Sequence, residues 1–245
     1  MSWLAEVLVW YSVPKKQTIP NEDQSLVKWD RKSAVVADGA SVSFDSITWA
    51  NVLCENYMKD QVITKEWIDR SVKNYSLLHD RDTLSWMKQA AYDRGSFATI
   101  FGMTLVPELS EIVVQAFGDT NGYFLFDGEL GTVFPILDQE DFNASPDLIS
   151  TNANENMYLT DDMIKNKTSI ISISEYDCVV AVIATDALAS WLMESTEEKI
   201  SYLAGLKSEK DFQEFVELHR ENHSLKLDDT TLLIMRFKRV LSPTD

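Results

Sequence analysis

Ser33-Ala34-Val35-Val36-Ala37-Asp38-Gly39-Ala40-Ser41 is the stretch that decides how this chain is read. Four consecutive small apolar residues form a run with no polar alternation, the pattern of a strand buried on both faces. The run ends on a carboxylate, which is costly inside a protein unless a positive charge meets it. Gly39 then lets the backbone turn sharply or approach a ligand closely. An aspartate held on a rigid strand end beside a free backbone carbonyl suits a hard cation. The same pattern also serves as an ordinary turn, so the residues around it must decide.

Upstream, Gln24 to Trp29 reads as a second strand, joined to the first through the polar turn Asp30-Arg31-Lys32. Such a hairpin brings the Glu22-Asp23 end beside the Asp38 end. Before it, Leu4 to Val13 is rich in Val, Trp and Tyr and reads as a strand, followed by the basic loop Pro14 to Pro20 with the adjacent pair Lys15 and Lys16. Downstream the period changes to helical. Phe44, Ile47, Ala50, Leu53, Cys54 and Tyr57 share one face, with Ser43 as the expected N-cap. Further helices are expected from Thr64 and over Asp82 to Tyr92, the latter ended by Gly95. Strands follow over Ser96 to Val106, Ser110 to Phe117 and Gly122 to Phe126, with Asp127-Gly128 as a hairpin signal. Residues 128–168 are polar and irregular, an excursion with room for a short helix. Ser169 to Ser174 and Cys178 to Thr185 read as strands, then come helices over Ala187 to Met193, Glu197 to Gly205 and Ser208 to Glu221, and a last strand, Thr230 to Val240.

Composition bounds the function. With 245 residues and 45% apolar content, the chain can build one substantial core. Its net charge of −17 disfavours nucleic acid and anionic membrane as partners. Cys54 and Cys178 stand far apart in apolar contexts, as in a reduced compartment, and the three histidines are ill-spaced for zinc. Met1 to Val13 lacks a basic leader, and no segment has the ~20 apolar residues that span a bilayer. A cytoplasmic location is expected.

The informative pattern is a recurrence. Acidic residues stand at the mouths of four hydrophobic strands, as Glu22-Asp23, Asp38, Asp186 and Asp228, and Asp119 occupies a turn between two more. Each alone is a common turn former. Gathered at one sheet edge they would repel one another unless cations sat among them. All-oxygen ligands select magnesium or manganese, and a pair of such ions suits phosphoester hydrolysis.

In this order, Asn21-Glu22-Asp23, Ala37-Asp38-Gly39, Gly95-Ser96-Phe97-Ala98-Thr99, Phe117-Gly118-Asp119-Thr120, Ala184-Thr185-Asp186-Ala187 and Asp228-Asp229-Thr230-Thr231-Leu232 resemble the metal-dependent protein phosphatases of the 2C type, divergent bacterial members above all, across residues 10–237. The resemblance implies a single α+β domain over residues 1–245: two antiparallel sheets flanked by helices on both outer faces, an α-β-β-α sandwich with a flap over about 128–168. It implies Mn2+ or Mg2+ as cofactor, two ions with room for a third. Asp38 would bridge the pair, Asp186 and Asp228 would complete one shell, and the Gly39 carbonyl with Glu22 or Asp23 would serve the other. Asp119 with Asp186 matches the third-ion position. The activity implied is hydrolysis of phosphoserine or phosphothreonine by a metal-activated water, with a phosphorylated protein as substrate and a serine/threonine kinase as a cognate partner.

The departures are specific. Where the family carries a phosphate-holding arginine this chain has Thr18, leaving Lys16 as a substitute point charge without the bidentate fork. Asp-Gly-X-Gly-Gly becomes Asp38-Gly39-Ala40-Ser41-Val42, Asp186 is followed by Ala187, and Asp119 by Thr120-Asn121. These losses leave open a second function, a weakly catalytic or inactive regulatory protein on the same fold. A third is an unrelated acidic β-rich protein whose strand-end acids are turns.

Overall fold

In the computed structural model, described over residues 2–138, 142 and 146–240, the run Ser33–Asp38 is a strand with both faces covered. Ala34 and Val36 point into a core between two sheets, while Val35 and Ala37 point the other way, under a layer of helices. Such double burial explains why the run shows no polar alternation.

The strands are β1 (Ser2–Val13), β2 (Asp23–Val27), β3 (Ser33–Asp38), β4 (Phe97–Ala98), β5 (Ile100–Val106), β6 (Glu111–Phe117), β7 (Asn121–Phe126), β8 (Glu129–Phe134), β9 (Ile149–Ser150), β10 (Thr168–Ser172), β11 (Cys178–Ala184) and β12 (Thr230–Val240). The helices are α1 (Ser46–Asp60), α2 (Lys65–Ser76), α3 (Trp86–Arg94), α4 (Asp161–Asn166), α5 (Asp186–Leu192), α6 (Thr196–Ala204) and α7 (Glu209–Glu221). One antiparallel sheet runs β1-β12-β11-β7-β8 and the other β10-β6-β5-β3-β2, with β4-β9 as a separate pair. Phe101, Met103, Val114, Ala181, Leu233 and Met235 fill the space between the sheets. Trp49, Leu53, Tyr57, Trp67 and Tyr75 of α1 and α2 cover the second sheet, and Leu188, Leu192, Phe212 and Val216 of α5 and α7 cover the first. The expected α-β-β-α sandwich is the one formed.

Three local expectations are corrected. The α1 N-cap is Asp45, whose carboxylate accepts from Thr48 N at 3.1 Å; Ser43 is instead spent on Phe97 N, at 2.9 Å. The strand read as continuous from Ser96 breaks at Thr99, because Thr99 N donates to Asp38 O (2.8 Å) and leaves the β5 ladder. Residues 128–168 are more regular than their composition suggests: β8 pairs with β7, β9 with β4, and α4 precedes β10, while 139–141 and 143–145 lie outside the described residues.

Register decides where the site is. Val13↔Thr230, Ala184↔Leu232 and Asn121↔Ala184 place one end of the first sheet beside the end of the second marked by Asp23↔Asp38 and Ile100↔Phe117. Every acid-bearing loop therefore leaves from the same rim of the sandwich.

Candidate metal centre

Asp23 opens β2 and pairs in register with Asp38, which closes β3. Asp23 is 5% exposed. Oδ2 accepts from Thr231 Oγ1 at 2.7 Å and from Thr185 Oγ1 at 3.0 Å, so one aspartate of the second sheet is tied to β11 and β12 of the first. Oδ1 is buried and has no hydrogen-bond partner. Burial above all, then the charges of Asp229 and Asp186, push its pKa up to about 7 against the pull of the two threonine hydroxyls.

Asp38 is held by its backbone. Its N–H donates to Thr99 Oγ1 (3.1 Å), which in turn pairs with Thr120 Oγ1 at 2.6 Å. Burial, and then the charges of Asp23, Asp186, Asp119 and Asp228, push its carboxyl well above the usual range. Asp119 is raised to about 6 by burial and by Asp186, with Lys226 pulling the other way. Acids from five separate loops thus act on one another at one rim. Asp38, Gly39, Thr99, Asp119 and Asp228 line a small cavity there of about 150 Å³, together with Pro146 and Leu148.

Gly39 is required by space. A Cβ on it would stand 2.8 Å from Ser46 Cβ and 2.9 Å from Ser46 O, inside contact distance of the first turn of α1. Ala40 N donates to Phe97 O and Thr99 N to Asp38 O, bridging Gly39 to Ala98, while the Gly39 N–H turns away to Glu22 O at 3.2 Å.

The remaining acids are paired. Glu22 accepts from Lys15 Nζ, Ser41 Oγ and Ser46 Oγ. Burial raises its pKa, but Lys15 and the two hydroxyls outweigh that and leave it lowered. Asp186 Oδ2 meets Lys226 Nζ at 2.6 Å and Asp228 Oδ2 meets the same ammonium at 3.5 Å. Among the described residues, no three His, Cys, Asp or Glu side chains are gathered closely enough to hold one metal ion between them. Glu22, Asp186 and Asp228 are turned toward lysines, and Asp23 toward threonines.

Lys16, the expected substitute for the missing arginine, lines a different cavity of about 550 Å³ with Gln17, Glu217 and Arg220. Its neighbour Lys15 is the one that reaches the acids. Several residues of the site escaped the sequence reading. Asp229, buried, accepts from Lys15 N (2.5 Å) and Glu22 N (2.7 Å) and staples the basic loop to β12. Arg220 on α7 donates to Pro14 O, Asp228 O and Thr230 Oγ1, fixing the backbone that presents Asp228. The Asp228-Asp229 doublet was a visible signal for the first. Nothing in the sequence marked Lys226 or Arg220, whose partners lie across the fold or at an unguessable rotamer.

Neither family models nor curated protein sequences match the chain. Solved structures do, along almost its whole length. The catalytic domain of the serine/threonine protein phosphatase PstP, solved in complex with two manganese ions, is 13% identical with a TM-score of 0.62, covering 97% of this chain and 100% of that one. A bacterial serine phosphatase is 15% identical (TM-score 0.59, 97% and 98% covered). The phosphatase Stp1 from Staphylococcus aureus is 14% identical (TM-score 0.57, 99% and 96% covered). At such identities the likeness is one of fold, and the fold of this chain is that of the bacterial serine/threonine phosphatase catalytic domains of the 2C type.

Proposed function

We propose that this chain is a divalent-metal-dependent phosphatase that hydrolyses phosphoserine and phosphothreonine esters. The observation that carries the reading is the meeting of Asp23, Asp38, Asp119, Asp186 and Asp228 at one rim, with a buried Asp23 oxygen that no donor satisfies. Hard oxygen donors are the ligand type that Mn2+ and Mg2+ select, and the two manganese ions of the PstP structure point the same way.

On this reading Asp38, Asp186 and Asp228 hold the ions together with the Gly39 carbonyl and either Glu22 or Asp23, and Asp119 with Asp186 offers a third place. Bound there, divalent ions supply Lewis acidity toward phosphoryl oxygens and make water a stronger nucleophile near neutral pH. The protein's own part is positioning. Thr99 clamps the Asp38 backbone, Arg220 fixes the Asp228 backbone, and Thr185 and Thr231 orient Asp23. Of the two lysines on the loop that contains Thr18, Lys15 meets the rim at Glu22 and would be the one to meet a phosphate, while Lys16 lines the separate cavity beside Arg220. A phosphorylated protein as substrate, and a kinase that makes it, belong to the same proposal.

The test is p-nitrophenyl phosphate hydrolysis with manganese, compared with Asp38→Asn. Metal-dependent turnover that falls about a hundredfold or more in the variant is expected. Turnover indifferent to metal or to Asp38 overturns the reading. The lysines turned toward Glu22, Asp186 and Asp228 favour one alternative, a metal-binding regulatory protein with little catalysis; manganese binding without turnover would select it.

A further inference from the structure

Lys16 and Arg220 belong to a cavity of about 550 Å³ that the proposed chemistry leaves unused. The side chains lining it come mainly from two elements of opposite charge. The basic loop contributes Lys15, Lys16 and Gln17. Helix α7 contributes Glu209, Gln213, Glu217 and Glu221, one residue in every four, which makes a single row along one face of the helix. Gln213 Nε2 donates to Glu217 Oε1 at 2.8 Å. Among the described residues, Glu209, Glu217, Glu221 and Lys16 form no ion pair, with one another or elsewhere. The neighbouring exposed row of α7, Lys210, Glu214 and Leu218, is mixed in character, and Lys210 meets Glu214 at 3.4 Å. That second row compensates its own charge, as solvated helix faces do. The row in the cavity does not.

The cavity adjoins the acid rim. Lys15 lines it, while its ammonium meets Glu22 and, at 2.6 Å, Ser41 Oγ; Ser41 lines the small cavity that holds Asp38. Arg220 lines it too and donates to the carbonyl of Asp228, which lines that same small cavity. Glu217 and Glu221, beside Arg220 on the helix, are therefore at the rim end of the row. Glu209 is at the far end, about 18 Å from Glu221 along the axis at about 1.5 Å per residue. An extended chain covers that length in about five or six residues.

We propose that this cavity docks the segment of a phosphoprotein substrate that flanks the phosphorylated residue, and that the α7 row selects segments carrying arginine or lysine within about six residues of it. The inference rests on the phosphatase reading above and adds a substrate class to it. Charge complementarity carries it. A basic side chain supplies the counter-ion that Glu209, Glu217 and Glu221 lack, while Lys16 repels it and so keeps it on the α7 side. An acidic segment meets those unpaired carboxylates as well as a net charge of −17, and is disfavoured.

The test is fluorescence anisotropy on the full chain in manganese, with labelled alanine-based phosphoserine peptides. Two peptides carry a pair of arginines about three to six residues before or after the phosphoserine, and their twins carry glutamates. One arginine peptide is expected to bind about fivefold or more tightly than its twin. Glu217→Lys should remove most of that ratio and Glu217→Gln about half of it. Glu214→Lys, an equal change of charge on the other row, should leave most of the ratio in place. No peptide binding, or equal binding of the twins, overturns the docking site. So does a ratio that Glu214→Lys lowers as far as Glu217→Lys, because the field of the whole protein then does the selecting. Hydrolysis of p-nitrophenyl phosphate by the parent separates this proposal from the one beneath it. Manganese-dependent turnover without the peptide preference removes the docking site and leaves the phosphatase. The preference without turnover keeps the docking site and overturns the phosphatase.

Discussion

Asp23 places a carboxylate in the interior of a two-sheet sandwich with one oxygen satisfied twice and the other not at all. The two hydroxyls come from the opposite sheet, so Thr185 and Thr231 act as cross-links as well as donors. Thr231→Val removes the shorter of the two bonds and leaves Oδ2 with one donor, at an expected cost of about 1–3 kcal/mol. In thermal melts in chelator the variant should fall by about 2–4 °C for each kcal/mol lost; no change would mean that Asp23 stays protonated and needs neither hydroxyl. Asp38→Asn should do the reverse. It deletes a charge that Asp23, Asp186, Asp119 and Asp228 all oppose, so in chelator it should melt about 3 °C or more above the parent, while losing the stabilisation that manganese gives. A variant that gains stability in chelator and loses the metal response separates a site built for cations from one built for packing.

Among the elements, α1 matters most to the site, because its first turn packs on Gly39 and its Ser46 hydroxyl reaches Glu22. Its start is set by Asp45, which caps Thr48 N. Asp45→Ala should cost ~1 kcal/mol, within the range of lost N-caps, measurable by urea unfolding, with Ser43→Ala as a comparison that leaves the cap in place. Gly39→Ala should cost more than the cap, since its new methyl meets backbone as well as side chain of Ser46. The periodicity of α1, with Trp49, Leu53 and Tyr57 on one face, was plain in the sequence, as was Thr64 at the start of α2. The cap at Asp45 was not, because Ser43 and Asp45 are both good cap residues and only the demand of Phe97 N for a partner separates them. Strand β8 was missed for a related reason. It is an edge strand with exposed and half-buried residues, so tertiary pairing with β7 rather than apolar pattern creates it.

At the scale of the whole molecule, charge couples fold to conditions. Asp23 titrates at about 7 and Asp119 at about 6, against an ordinary value of 3.8. Between about pH 4 and 7 the folded chain therefore holds more protons than the unfolded one, and stability falls as pH rises through that window. Glu22, whose pKa is lowered, acts the other way, but only as the pH drops below the ordinary carboxylate range. In chelator, the melting temperature should thus rise as pH is lowered from about 7.5 to about 5. With manganese present the slope should flatten or invert, because ions bind the ionised carboxylates and stabilise the state they bind. A melting temperature that climbs with pH in chelator would show that the rim acids are not mutually repelling.

The sequence by itself determined the strands and the identity of the acids. Uninterrupted apolar runs such as Val35-Val36 and Val179-Val180 mark strands with both sides largely covered, while the sandwich of two sheets between helix layers was implied by the resemblance that the ordered acid motifs carry, not by the apolar pattern. An acid at the mouth of each run is equally visible, since no packing is needed to place it next to its own strand. Only the tertiary structure decided which cations those acids face. Asp186 and Lys226, or Lys15 and Glu22 across the turn of the basic loop, meet through side-chain rotamers at the ends of unrelated elements. A contact of that kind has no period in the sequence, because it is fixed by the register of two sheets against each other rather than by any one stretch of chain.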